Sequence, residues 1–409
     1  MNSFEKGPNC AGCGACLAIC PVYRISFLER HSPRGKYHLL VKGLDKLPGS
    51  IADMMVRDTM TACLQCGGCA SVCAAGVDVR SIIRERREKE ASASLTVRKA
   101  LKIMENGPLR GTGLALKLLS MFPGFQGIDS WSPAERPFLT AIRQEDNMLS
   151  VYPPPSAPVD PHRLKIAFFA GCVQNFMMPG VAEDALNLLS REIVIPLQQG
   201  CCGLAALSAG LTEMAREQAA KNIKIFSAIQ PDILLTGCAS CASMLSDYKK
   251  LFPQGDPLHE QAAWISDSVR ELSSFLASEE QLLCRITGPF EYGNQTCLSD
   301  LLPFALQVPC HDRFSPGGSS DIQKLFERMG ITPAITLGCC GFGGSFFIGN
   351  RKLSAGIRDT LVSEVRRAGV KRVVTNCSGC LMHLEMAYRK GDLGEARPLH
   401  LARFLSLLP

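Results

Sequence analysis

The chain has 409 residues, enough for two or three domains that each bury a core. Hydrophobic residues make up 46% and charged residues 20%, which excludes wholesale disorder, and no apolar run reaches the roughly 18 residues of a membrane span. The formal charge of +6 is not a nucleic-acid footprint: residues 78–117 hold ten Lys/Arg against five Asp/Glu, so one solvated helical stretch accounts for most of it.

The unusual feature is a set of 20 cysteines. Four of them fall within the first twenty residues, where no basic segment followed by an apolar core marks a secretory signal. Most sit as C-x2-C or adjacent pairs, a spacing that suits a metal better than bridges between distant segments. A reducing, cytoplasmic setting and metal thiolates are therefore expected.

Cys10, Cys13, Cys16 and Cys20 form a C-x2-C-x2-C-x3-C run ending on Pro21, and Cys63, Cys66, Cys69 and Cys73 repeat it. A tight loop can deliver three thiolates to one [4Fe–4S] cubane while the fourth cysteine leaves toward the other. The expected metal-ligand sets are Cys10, Cys13, Cys16 and Cys73 for one cubane, and Cys63, Cys66, Cys69 and Cys20 for the second. Zinc knuckles would take two separate C-x2-C pairs, a poorer match to two 2-2-3 runs. A 42-residue insert separates Cys20 from Cys63.

Beyond Cys73 the pattern is helical. Val79, Ile82 and Ile83 begin one helix, and Val97, Ala100, Leu101 and Met104 share a face of the next. These helices pack on a neighbouring domain or offer a basic amphipathic surface to a membrane or partner. Leu114–Phe122 reads as a more apolar helix, and the Pro/Ser-rich run from Tyr152 as a linker.

From residue 164 the chain duplicates itself. Cys172, Cys201, Cys202, Cys238 and Cys241 recur as Cys310, Cys339, Cys340, Cys377 and Cys380, at offsets of 138 and then 139. Apolar runs at 165–170, 192–195 and 232–235, and at 304–308, 334–337 and 372–375, alternate with helical stretches, which predicts parallel βαβ units. All ten cysteines then lie just past the carboxyl ends of strands, where open α/β sheets bind ligands. Clusters are the leading reading and redox dithiols the competing one. The halves are expected to relate by a pseudo-twofold. His311 and His383 stand beside cluster cysteines, as proton relays or as hydrogen-bonding support. Cys284 and Cys297 receive no role and are expected to behave as buried apolar residues.

The arrangement of a cysteine, 28 residues, Cys-Cys-Gly and a later C-x2-C, twice over behind a two-cubane domain, resembles the cysteine-rich CCG family. The resemblance spans nearly the whole chain and includes Ser32-Pro-Arg-Gly-Lys36 and Val308-Pro-Cys-His311. That family includes iron–sulfur subunits of glycolate oxidase, D-lactate dehydrogenase and anaerobic glycerol-3-phosphate dehydrogenase, and heterodisulfide reductases.

The resemblance implies an α+β chain: a helical two-[4Fe–4S] ferredoxin-like domain (1–90), a helical linker (91–160) and two α/β CCG domains (161–285 and 286–409). It implies two cubanes and one or two further [4Fe–4S] clusters, cubane or non-cubane, in the duplicated halves. The 28-residue gap is short for the family, which leaves the type of those clusters open. No dinucleotide fingerprint is present, since Gly111-Thr-Gly and Gly341-Phe-Gly-Gly both fail the pattern. Hydride chemistry thus falls to a partner, an FAD-containing dehydrogenase subunit. The chain would relay electrons to quinone or another acceptor, in the cytoplasm or peripherally on the membrane's cytoplasmic face. The other readings are a heterodisulfide-reductase-like subunit cleaving a disulfide, an anaerobic glycerol-3-phosphate dehydrogenase subunit, and a zinc-bearing assembly module without catalysis.

Overall fold

The computed structural model of the protein describes residues 9–43, 49–90, 95–105, 149–152, 164–189, 191–287, 301–313 and 320–408. The N-terminal domain is helical. Within each cysteine run a glycine takes the left-handed conformation, Gly14 at φ 80° and Gly67 at φ 84°, and turns the loop into a short helix. Those helices, Ala15–Ile19 and Gly68–Ser71, pack on each other. The longer helices Gly49–Thr61 and Val79–Lys89 bury Val56, Met60, Val79, Ile82 and Ile83 in one core, against which Cys10, Cys63, Cys69 and Cys73 lean. Asp78 starts the second of these by accepting from the N–H groups of Arg80 and Ser81. Helix Leu95–Glu105 buries Val97 and Leu101 in the core of the next domain, so its apolar face packs on a neighbour. The predicted helix 114–122, the Gly111 segment, the Pro/Ser run beyond Tyr152, and Cys297 lie outside the described residues.

Two α/β domains follow. In the first, β1 (Leu149–Tyr152), β2 (Ile166–Phe169), β3 (Ile193–Pro196), β4 (Ile233–Thr236) and β5 (Val269–Glu271) form a sheet of order β1-β3-β2-β4-β5. Only β1 runs antiparallel, pairing along β3. In the second, β6 (Phe304–Gln307), β7 (Ile335–Leu337), β8 (Arg372–Thr375) and β9 (Arg397–His400) are all parallel in the order β7-β6-β8-β9. Strand for strand this repeats β3-β2-β4-β5, so the duplicated cysteines sit on duplicated folds.

Both faces of each central strand are covered, which is why β2 and β6 read as continuous apolar runs. Ile166 and Phe168 face one core, Ala167 and Phe169 the other. The first of these cores is common to both domains, since Phe304 and Leu306 of β6 enter it too. The helices between the sheets pair reciprocally. Pro179–Leu189 lies on Leu401–Ser406, and its counterpart Asp321–Arg328 lies on Leu272–Ser278. That exchange is the signature of the expected pseudo-twofold. Cys284 departs from expectation: it is exposed on helix Glu280–Thr287, outside any core.

Candidate functional site

The cysteines of the duplicated half lie where the strands end. Cys172 follows β2 in helix Gly171–Phe176, and Cys310 opens helix Cys310–Arg313 after β6. Cys201 and Cys202 follow β3, and Cys339 and Cys340 follow β7. Cys238 and Cys377 are the N-cap residues of helices Ala239–Ser246 and Ser378–Arg389, which carry Cys241 and Cys380 one turn on. A helix N-terminus favours a thiolate at its cap.

The two carboxyl edges face each other across one cleft of about 1050 Å³, open to solvent, and all ten of these cysteines line it. The halves are stitched at its floor. The Ala239 N–H donates to the Asn376 carbonyl at 3.0 Å, and Gln174 Nε2 donates to the Gly237 carbonyl at 2.9 Å and to Ser378 Oγ at 3.1 Å. Ser208 and Ser345 hydroxyls meet at 3.1 Å.

The thiols are packed against one another, and their ionisation follows from that. Hydrogen bonds from Cys172, then Cys202, hold the Cys201 sulfur well below the usual thiol range. Cys238 is lowered by Cys241, by Cys377 across the pseudo-twofold, and by the Ser378 N–H. The Cys340 and Cys380 sulfurs share a hydrogen bond at 3.1 Å, and that contact, with His383 beside it, pulls Cys340 down to about 5. Cys172, Cys202, Cys241 and Cys380 go the other way: each is raised by the hydrogen bond its S–H donates to a neighbouring sulfur, which ionisation would remove, and by burial. Burial first, and then the neighbouring thiols, push Cys310 up, and Cys339 to about 12. Such a set is hard to ionise fully without a cation, and a bound metal relieves it while releasing protons. All nineteen described cysteines are unbridged.

A second pocket, of about 400 Å³, lies in the N-terminal domain and is lined by Cys20, Cys63, Cys66 and Cys69. Burial raises Cys66 and Cys69, and each feels the other thiols of this group, Cys20 included. The structure thus brings Cys20 to the opposite run. Among the described residues, no three His, Cys, Asp or Glu side chains close on a single ion position. Cys10 and Cys73 lean on the same core, Cys16 feels Cys10 and Cys20, and Cys13 is exposed.

The two pockets share a wall made of Leu64 and Gln65. On its far side Cys66 is close enough to Cys339 for each to bear on the other's charge, and Cys20, Cys66 and Cys339 pack on one apolar cluster. This approach depends on Gly343, where a Cβ would stand 2.4 Å from Leu64 Cδ2. The first half has Ala205 and Ala206 where the second has Gly343 and Gly344. Arg87 ties the same junction from the other side, donating to the Met60 and Cys63 carbonyls and to that of Ser208.

The two singled-out histidines play different parts. His383 is buried between Phe342 and Phe347, and its Nδ1 lies 2.8 Å from the Cys340 carbonyl. A carbonyl only accepts, so Nδ1 carries the proton and supports the Cys340 loop. His311 Nδ1 lies 3.0 Å from Ser240 Oγ, which lies 3.1 Å from Cys377 Sγ. Burial, with Arg80 and Arg84 nearby, drops His311 to about 4. Glu271 and His400 went unremarked in the sequence. Each ends its sheet's edge strand and caps the helix that follows.

A 4Fe-4S dicluster domain model matches residues 7–77, and a cysteine-rich CCG domain model matches residues 166–246 and again 304–385. The chain is similar to a probable glycolate oxidase iron–sulfur subunit of Bacillus subtilis, 27% identical over 97% of this chain and 93% of that one. It is similar to the glycolate oxidase iron–sulfur subunit of Escherichia coli, 22% identical over 93% of this chain and 90% of the relative. Lactate utilization protein A 2 of Bacillus cereus is 25% identical over 59% of this chain and 98% of its own length.

Proposed function

The chain belongs to the iron–sulfur proteins that join a 4Fe-4S dicluster domain to two cysteine-rich CCG domains, and from that membership we propose that it is the electron-transferring subunit of a flavin-dependent 2-hydroxy-acid dehydrogenase of the glycolate or D-lactate type. Cys20, Cys63, Cys66 and Cys69 hold one [4Fe–4S] cubane, and Cys10, Cys13, Cys16 and Cys73 hold the other. The ten cysteines of the cleft hold one or two further clusters. When bound, these groups supply one-electron steps at potentials set by their surroundings. Oxidising a 2-hydroxy acid to a 2-oxo acid releases two electrons and two protons, which a flavin in a partner subunit takes as a pair and passes on singly.

The observation that carries this reading is the wall of Leu64 and Gln65 shared by the two thiol-lined pockets. Cys66 and Cys339 lean on one apolar cluster there, so clusters held on its two sides would offer electrons a route from the N-terminal domain toward the second half of the duplication. The terminal acceptor is quinone or a comparable carrier. No described helix is long and apolar enough to cross a membrane, so contact with a quinone-bearing membrane would be peripheral. The test is reconstitution: the iron-loaded chain should restore electron flow from a flavoprotein to a quinone analogue and should not oxidise glycolate or lactate alone. Hydroxy-acid oxidation by the chain without flavoprotein would refute the reading.

One feature favours a second reading. Because all ten cysteines of the duplicated half open into a single solvent-connected cleft, a substrate disulfide could meet both halves at once. Disulfide reduction by the isolated, reduced chain would favour this heterodisulfide-reductase-like activity.

A further inference from the structure

Ser32-Pro-Arg-Gly-Lys36 lies in the insert between the two cysteine runs, and its structure places an ammonium where none is expected. Ser32 caps helix Pro33–Tyr37 by accepting from the Gly35 N–H at 2.9 Å, with Pro33 in the first turn. Ser32 also donates to Glu29 Oε1 at 3.0 Å, and Arg34 pairs with the same oxygen at 2.6 Å. Gly35 has no room for a side chain, since a Cβ would stand 1.9 Å from the Glu29 carbonyl oxygen. This fixed turn drives Lys36 inward until it is 2% exposed. There it lines the pocket of Cys20, Cys63, Cys66 and Cys69.

The Lys36 ammonium donates to the His31 carbonyl, and among the described residues no carboxylate comes within ion-pair distance of it. An unpaired buried ammonium is strongly disfavoured, so an anion is owed. The thiols of Cys20, Cys63, Cys66 and Cys69, which line the same pocket, can supply one. Arg80 lines the same pocket, but it pairs with Asp78 at 3.7 Å and keeps some contact with solvent.

We propose that Lys36 is the buried countercharge of the cluster held by Cys20, Cys63, Cys66 and Cys69 and sets that cluster's reduction potential above the value its thiolates alone would give. The inference rests on the ligand set proposed above. A cubane with four thiolates carries about −2 when oxidised and gains a further negative charge on reduction, so a fixed cation nearby stabilises the reduced form more. Lys36 touches no substrate; it is a positioning and tuning residue.

The test is an EPR-monitored redox titration of the full, anaerobically loaded chain. Lys36→Gln keeps a donor for the His31 carbonyl and removes the charge. It should make one cubane at least tenfold harder to reduce, about 59 mV for one electron, and leave the other unmoved, while Lys36→Arg stays with wild type. Loss of that cubane in Lys36→Gln but not in Lys36→Arg would also support the countercharge. Two unmoved potentials in Lys36→Gln with wild-type iron content would overturn it. So would loss of the cluster from both variants, which would mark a packing role. A wild-type chain with only one cubane signal would instead overturn the ligand set, and this inference with it.

Discussion

Replacing Gly343 with alanine tests whether the N-terminal domain is seated on the second half through close backbone approach. Two costs add. Gly343 has φ +57°, a conformation that costs a residue with a Cβ about 1–3 kcal/mol. The new Cβ would also stand 2.4 Å from Leu64 Cδ2 and 3.1 Å from Phe346 Cβ. Leu64 is 7% exposed, so relief means turning its Cδ2 toward the two pockets it borders or displacing the loop that carries Cys63 and Cys66, an overpacking cost of about 1–3 kcal/mol. The loss of roughly 2–6 kcal/mol should lower the apparent Tm of the loaded chain by on the order of 2–7 °C, read by cluster absorbance at a fixed scan rate. The double variant Leu64→Ala/Gly343→Ala should recover the steric part, so the two substitutions should cost less together than their separate losses summed. A Gly343→Ala chain that melts with wild type, or strictly additive losses, would refute the proposed junction.

Glu271 makes a pH prediction. Its Oε2 accepts from the Ser273 N–H at 2.8 Å and from Asn376 Nδ2 at 3.2 Å, and burial pushes the carboxyl from 4.5 up to about 8. The unfolded carboxyl ionises from about 4.5 while the folded one keeps its proton to about 8, so stability falls as pH rises through that window, by up to about 5 kcal/mol. Glu271→Gln should remove this slope, and parallel denaturation midpoints for both proteins from about pH 5 to 8 would contradict it. The crossed ligand sets predict that Cys20→Ser resembles Cys66→Ser in the EPR signal it removes, and not Cys13→Ser; the reverse pattern would mean that each run holds its own cluster. His383→Phe, which removes the donor to the Cys340 carbonyl, should loosen the cluster of the second half and leave both N-terminal signals intact; unchanged iron content and spectra would deny that support.

Much of this was legible because cysteine chemistry leaves rigid spacings in a sequence. The 2-2-3 runs, the 138-residue duplication and the six strands that show as apolar runs all follow from local pattern, and the structure places them as read. What the pattern hid has specific physical causes. β5 is three residues long and carries Arg270 exposed between Val269 and Glu271, so it shows no apolar run. β9 contains Pro398, which argues against a strand except at an edge, where β9 lies. β1 stands immediately before the proline run and was absorbed into the linker. Lys36 entered only as the end of the Ser32-Pro-Arg-Gly-Lys36 segment, because nothing in its neighbours reveals that Gly35 and the Ser32 cap turn it inward. The glycine pair 343–344 was visible, but its reason, the approach of Leu64 from a loop 279 positions earlier, belongs to the tertiary structure.

The central claim is that eighteen of the cysteines hold iron–sulfur clusters in both the dicluster domain and the duplicated half. Iron and acid-labile sulfide counting with EPR on anaerobically purified full-length protein tests it most directly. The account predicts about sixteen irons per chain when both halves are loaded, with signals beyond those of two cubanes. About eight irons, all of cubane character, would leave the ten-cysteine cleft a site of thiol chemistry and contradict it.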